Sequence, residues 1–166
     1  DCDPGQFMNI SGAAQCLDCP AGQYQPNYKK TNCIECLAGS YQDQTAKTAC
    51  KLCTAGFVQP LTGKQNCAQC QPPMFQNMVG QANCNQCIAG MLLISPSSCV
   101  DCPAGTFQPN VGGSQCINCN PGEISFIASQ NCFECGIGTF SSEDHTYCSN
   151  CSLGTFNSQI NQSSCL

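Results

Sequence analysis

Nine times along this chain two cysteines stand with two residues between them, from Cys16 and Cys19 to Cys148 and Cys151. A pair at that spacing can do three kinds of chemistry. Two pairs can supply four thiolates to a tetrahedral zinc ion. One pair on a supporting sheet can exchange electrons through a thiol and a disulfide. Alternatively, the two cysteines belong to different disulfides, and the spacing is only the joint between them.

Counting bears on the choice. Nine pairs do not divide into twos, and Cys2 and Cys165 stand outside them. Redox chemistry uses one pair, not nine in series. Joining each cysteine that opens a segment to the one that closes it uses all twenty. The scheme is Cys2 to Cys16, Cys19 to Cys33, Cys36 to Cys50, Cys53 to Cys67, Cys70 to Cys84, Cys87 to Cys99, Cys102 to Cys116, Cys119 to Cys132, Cys135 to Cys148 and Cys151 to Cys165. Zinc and other connectivities stay open on counting alone. A closed loop of about 15 residues removes on the order of 3 kcal/mol of chain entropy from the unfolded state.

Composition says what such loops must do for this chain. Leu, Ile, Val and Phe make up 29 of 166 residues, too few for an ordinary packed interior, while cysteine makes up 20. That density marks a disulfide scaffold in an oxidising compartment, so an extracellular site, secreted or on a cell surface, is expected. There is no arginine, and all five lysines (Lys29, Lys30, Lys47, Lys51 and Lys64) precede residue 65. Nucleic-acid binding, which needs a basic surface, is therefore not expected. No apolar run approaches 18 residues, so no membrane span is expected in this segment.

The elements that position the cysteines repeat with them. The ten segments, bounded as the cysteine pairs above, form one array over residues 1–166, and their starts lie 17 residues apart with exceptions of 15, 16 and 16. The chain starts and stops one residue outside a module, as a segment of a longer array would. Three residues after the opening cysteine stands glycine in nine modules, with Pro73 in the fifth, predicting a turn that needs positive φ or the close approach of another segment. Two residues later the side chain is apolar in all ten (Phe7, Tyr24, Tyr41, Val58, Phe75, Leu92, Phe107, Ile124, Phe140 and Phe156), enough to cover its own disulfide. The residue after the closing cysteine is often apolar too (Leu17, Ile34, Val100, Ile117 and Phe133) and is expected to pack on a neighbouring module's ring. The arms between are polar and turn-rich, and no helical period is present. The expected fold is small, disulfide-rich and mostly irregular with short β-hairpins, an elongated rod of tandem repeats in which each module touches mainly its neighbours.

The segments CPAGQYQPNYKKTNCIEC (residues 19–36) and CPAGTFQPNVGGSQCINC (residues 102–119) closely resemble the ephrin-receptor-like cysteine-rich repeat, and the first half-module of tumour necrosis factor receptor repeats. The resemblance extends along the whole chain. It implies that the two cysteines of a module pair with each other, which agrees with the counting. It also implies the company such repeats keep: receptor ectodomains, protist surface antigens and extracellular structural filaments. Tumour necrosis factor receptors alternate this unit with a second one, carrying crossed disulfides, that this chain lacks.

No catalytic, cofactor-binding or metal constellation stands out, and no enzyme activity is expected. His145 is the one histidine and is expected in a solvent-exposed loop beside Glu143 and Asp144. Asp18, Glu35, Asp101 and Glu134 recur one to a seam, too far apart to converge on calcium. Candidate N-glycosylation sites are Asn9 and Asn161 in arms, and Asn150 in a seam that folding would hide. The densest apolar stretch supplies Met74, Phe75, Met78, Val79, Met91, Leu92, Leu93 and Ile94, either a docking surface for another chain or a junction of two modules. The expected role is structural, a stalk or the repeating subunit of a surface filament. Its partners would then be itself or other extracellular proteins; the alternative is a ligand-binding receptor or surface-antigen ectodomain.

Overall fold

A computed structural model describes residues 1–9 and 15–166. They contain no helix; nine two-stranded antiparallel sheets follow one another along the chain. Most strands are two residues long: the apolar residue after the turn and the one before it pair with the two residues after the closing cysteine. Phe7 lies opposite Leu17, Tyr24 opposite Ile34, Phe107 opposite Ile117 and Ile124 opposite Phe133. The last module closes with two reciprocal backbone hydrogen bonds between Phe156 and Leu166.

Ten disulfides join each opening cysteine to the closing cysteine of its own module, with Cα atoms 5.5 to 5.9 Å apart. No cysteine is free. This is a small disulfide-rich tandem-repeat fold. The backbone groups into two compact units, Asp1–Asn85 with Ser95–Ser98, and Gln86–Ile94 with Cys99–Leu166.

The core is unusual in kind. Apart from Val58, its buried apolar residues are the opening cysteines of the first nine modules. Beside them lie amides: Gln25, Gln42, Gln59, Gln76 and Gln108 are all at most 8% exposed. Each stands six residues after its opening cysteine, and each does the same thing. The Gln42 Nε2 donates to the Ala49 carbonyl and its Oε1 accepts from the Gln44 amide, so the side chain ties the start of its own arm to the end. Gln25, Gln59 and Gln76 repeat this with donor distances of 2.6 to 2.9 Å, and Gln108 holds Gln115 and Asn110 in the same way. Burying an amide costs little when both its ends are bonded.

Two expectations are corrected here. The side chains after the closing cysteines remain 37 to 53% exposed, and those of Leu17, Ile34, Ile117 and Phe133 stand across the hairpin from their own module's apolar residue. Register decides this, since directly opposed residues of a pair point to one face. The Phe133 ring meets Phe126 of its own arm, with centroids 6.1 Å apart. Modules also reach beyond their neighbours: the Gly22 turn lies against the Gly63 carbonyl, two modules on.

In the eighth module two carboxylates face each other, Glu123 opposite Glu134. Like charges in that position are destabilising. Glu123→Gln, which restores the residue type of Gln6 and Gln23 at this register, is expected to stabilise by roughly 0.2–1 kcal/mol. The check is a denaturant midpoint with disulfides intact, rising at low salt and less so at high salt.

Candidate functional site

The repeated chemistry of this chain is a backbone latch. Positive φ at the turn glycine aims its N–H out of the module, and the amides of Gly5, Gly22, Gly39 and Gly56 each donate over 2.7 Å to the carbonyl of the buried glutamine in the next module. In the second unit Gly90 does the same to Gln108 over 2.8 Å. In return the arm bends back. Its tip residue is left-handed and donates its amide to the opening cysteine's carbonyl one module earlier: Lys29 to Cys2, Ala46 to Cys19, Gly63 to Cys36, Gly80 to Cys53, Gly112 to Cys87, Ala128 to Cys102 and Asn161 to Cys135. The next residue accepts as well. The carbonyls of Lys30, Lys47 and Lys64 take the amides of Met8, Gln25 and Gln42.

The tip carbonyl then lies over the turn glycine two modules back. A Cβ on Gly5, Gly22, Gly39, Gly90, Gly105 or Gly122 would collide with the backbone of Ala46, Gly63, Gly80, Ala128, Asp144 or Asn161 respectively. Glycine is thus required twice at these turns, for its φ and for the contact. The short sixth module substitutes a tight hairpin, Met91–Ser95 with Ser98–Asp101. In the first unit, Pro96 stands where an arm tip would: its carbonyl accepts the Gln76 amide and it covers Gly56.

His145 belongs to this latch. It is half-buried with φ of 56°, not in the free loop expected for it; its carbonyl accepts the Ser125 amide and its Nδ1 lies 3.1 Å from the Glu123 carbonyl oxygen. A left-handed tip must reach the preceding modules, which draws the side chain in. Glu143 and Asp144 are exposed beside it. The hydroxyls of Ser142 and Thr146 hold the Asp144 carboxyl below its ordinary value of 3.8. A depressed carboxyl stabilises the fold above that ordinary value, and the contribution is lost as pH falls through the lowered one. In the first unit the Lys51 ammonium, 2.7 Å from Asp43, lowers that carboxyl in the same sense.

The seam carboxylates do not converge. Asp18 accepts from Gln6, Glu35 from the Thr62 hydroxyl and Glu134 from the Asn161 amide, each at 2.9 to 3.0 Å. Among the described residues no three His, Cys, Asp or Glu side chains cluster. Of the glycosylation candidates, Asn9 is exposed but its partner Ser11 lies outside the described residues. Asn150 is exposed at the end of the strand Cys148–Asn150, not hidden. Asn161 is half-buried, and the nitrogen a glycan would occupy is bonded to Glu134.

The apolar candidates divide between the units. In the first, Met74 and Phe75 are half-buried, while Met78 and Val79 stand out at 56 and 57% exposure. In the second, Met91, Leu92 and Leu93 are half-buried and Ile94 is 59% exposed. Exposed apolar side chains are in fact common at arm tips throughout, including Tyr28, Leu61, Val111, Phe126, Ile127 and Ile160. The buried glutamines and the tip residues went unread in the sequence. Glutamine at the sixth place after five opening cysteines was the available signal.

Residues 5–46 match the family described as tyrosine-protein kinase ephrin type A/B receptor-like. No curated protein matches the chain. The family match and the ten successive disulfide loops support a cysteine-rich repeat of ephrin-receptor-like type. Disulfide density and the receptor-like match together point to an extracellular or cell-surface location. Among the described residues no helix is long and apolar enough to cross a membrane.

Proposed function

We propose that this ephrin-receptor-like array is an extracellular structural element, a disulfide-stapled stalk or the repeating subunit of a surface filament. The observation that carries the reading is the latch. The joints from the first to the fifth module, from the sixth to the eighth and from the ninth to the tenth share the same backbone hydrogen bonds, while at the joint of the eighth and ninth the Gly122 amide donates to the Ser141 hydroxyl instead; the arms of the third, fourth, fifth, eighth, ninth and tenth modules also lie over the turn glycine two modules back. A joint made by backbone tolerates variation in arm side chains, and one that spans two modules resists bending at either. What the chain repeats so strictly is therefore its own continuation, as in other quasi-one-dimensional repeats.

Electron micrographs of the native material test this. Filaments, or stalks of uniform width projecting from a surface, are the expected result; compact isolated particles would overturn it. The second reading, a receptor or surface-antigen ectodomain, is favoured by the description of the matching family. On that reading the native protein is monomeric through this region and is recovered with a membrane anchor.

A further inference from the structure

The structure carries a charge asymmetry that the repeat does not require. The first unit holds all five lysines and five carboxylates, Asp1, Asp3, Asp18, Glu35 and Asp43. The second unit holds five carboxylates, Asp101, Glu123, Glu134, Glu143 and Asp144, and no lysine or arginine. One unit is thus formally neutral and the other carries all of the chain's net charge of -5.

Both sets of charge sit on equivalent surfaces. Lys30, Lys47 and Lys64 hold one position in three successive modules, just past the arm tip, where their carbonyls are pinned by the module before. Their side chains are exposed, and among the described residues none has a carboxylate within ion-pair distance; the two ion pairs use Lys29 and Lys51. In the second unit Glu143 and Asp144 lie immediately before an arm tip, His145. The seam carboxylates share that surface, because a seam side chain lies against the arm two modules on. Glu134 reaches Asn161 in the second unit, as Glu35 reaches Thr62 in the first, and Asp101 holds the same place in its module. Exposed apolar tips, Tyr28 and Leu61 in one unit and Phe126 and Ile127 in the other, lie among these charges.

We propose that the arm-tip surface of the first unit binds the arm-tip surface of the second unit of another copy of this chain. Apolar tips supply the area removed from water, and the lysine row against the carboxylates fixes which surfaces meet. A contact between two different surfaces of one chain is heterologous; unless its rotation closes a ring, it adds copies in one direction without limit. The inference rests on the structural reading above and gives it a polarity.

The test is self-association by sedimentation velocity on the intact protein, with its disulfides verified by non-reducing peptide mapping. Association is expected to weaken by roughly tenfold or more between about 0.05 and 0.5 M salt, because charges at a surface are screened over about 10 Å at 0.1 M and less at higher salt. Two variants give the decisive comparison. Lys30→Glu with Lys47→Glu and Lys64→Glu makes both surfaces acidic, and Asp101→Lys with Glu143→Lys adds cations to the second. Each variant alone should associate more weakly than the natural protein, and an equimolar mixture should regain association. If the natural protein associates but neither salt nor either variant changes it, the charge pairing is overturned while the structural reading stands. A natural protein that stays monomeric at low salt also overturns the pairing, and the micrographs then judge the structural reading separately.

Discussion

Gly39→Ala is expected to destabilise the first unit by roughly 3 kcal/mol or more, while Gly138→Ala, the same substitution at an equivalent turn of the second unit, should cost only about 1–2 kcal/mol. Both glycines are left-handed, with φ of 82° and 78°, so both variants carry the backbone cost of placing a Cβ there. The difference lies in what the Cβ meets. At Gly39 it falls on the carbonyl of Gly80, a backbone group held in place by its own bond from the Gly80 amide to Cys53; at Gly138 nothing lies within 4 Å. The check is the denaturant midpoint of each variant with disulfides intact. Equal losses at the two sites would show that the two-module contact contributes nothing.

The second large effect is expected at Gln76, less than 2% exposed and bonded at all four of its polar positions. Its side chain donates to the Asn83 carbonyl over 2.9 Å and accepts from the Met78 amide, while its backbone takes the Gly56 amide and gives its own to Pro96. Gln76→Met keeps the length and removes only the side-chain partners. Two part-buried backbone groups are then left unpaired, and a loss of about 2–4 kcal/mol follows. Exposed Gln71, whose side chain makes one bond at 3.4 Å, is the control; Gln71→Met should change stability by less than about 0.5 kcal/mol. Amide exchange gives a local readout, since the Met78 amide should lose protection selectively. Unchanged exchange at Met78 would mean that the amide ladder is incidental.

These expectations show how far reading the residues could go. The glycine three places after nine of the ten opening cysteines signals a turn, because glycine adopts positive φ without the steric cost a Cβ brings, and the hairpins follow from the apolar residues on either side of the arm. The role of His145 was not legible. Its place in the sequence pointed to an exposed loop, whereas its backbone is left-handed and its carbonyl accepts an amide of the preceding module, as those of Lys47 and Lys64 do. Gln76 was hidden for the opposite reason. A polar residue at the start of a polar arm reads as solvated, and nothing in its type says that the arm folds back and encloses it.

From the sequence alone came what depends on spacing along the chain: ten closed loops, their turns, and a lysine-bearing first half followed by a purely acidic remainder. A loop closure or a turn is local, so residue types at fixed intervals specify it. Only the tertiary structure decided which module lies on which, that an arm reaches two modules back, and that the lysines and the seam carboxylates occupy corresponding surfaces. Those relations are set by backbone hydrogen bonds from tip to cysteine and from glycine to glutamine, and every residue type but proline carries the same donor and acceptor. Their pattern is therefore written in no single residue, and it emerges only when the modules are packed.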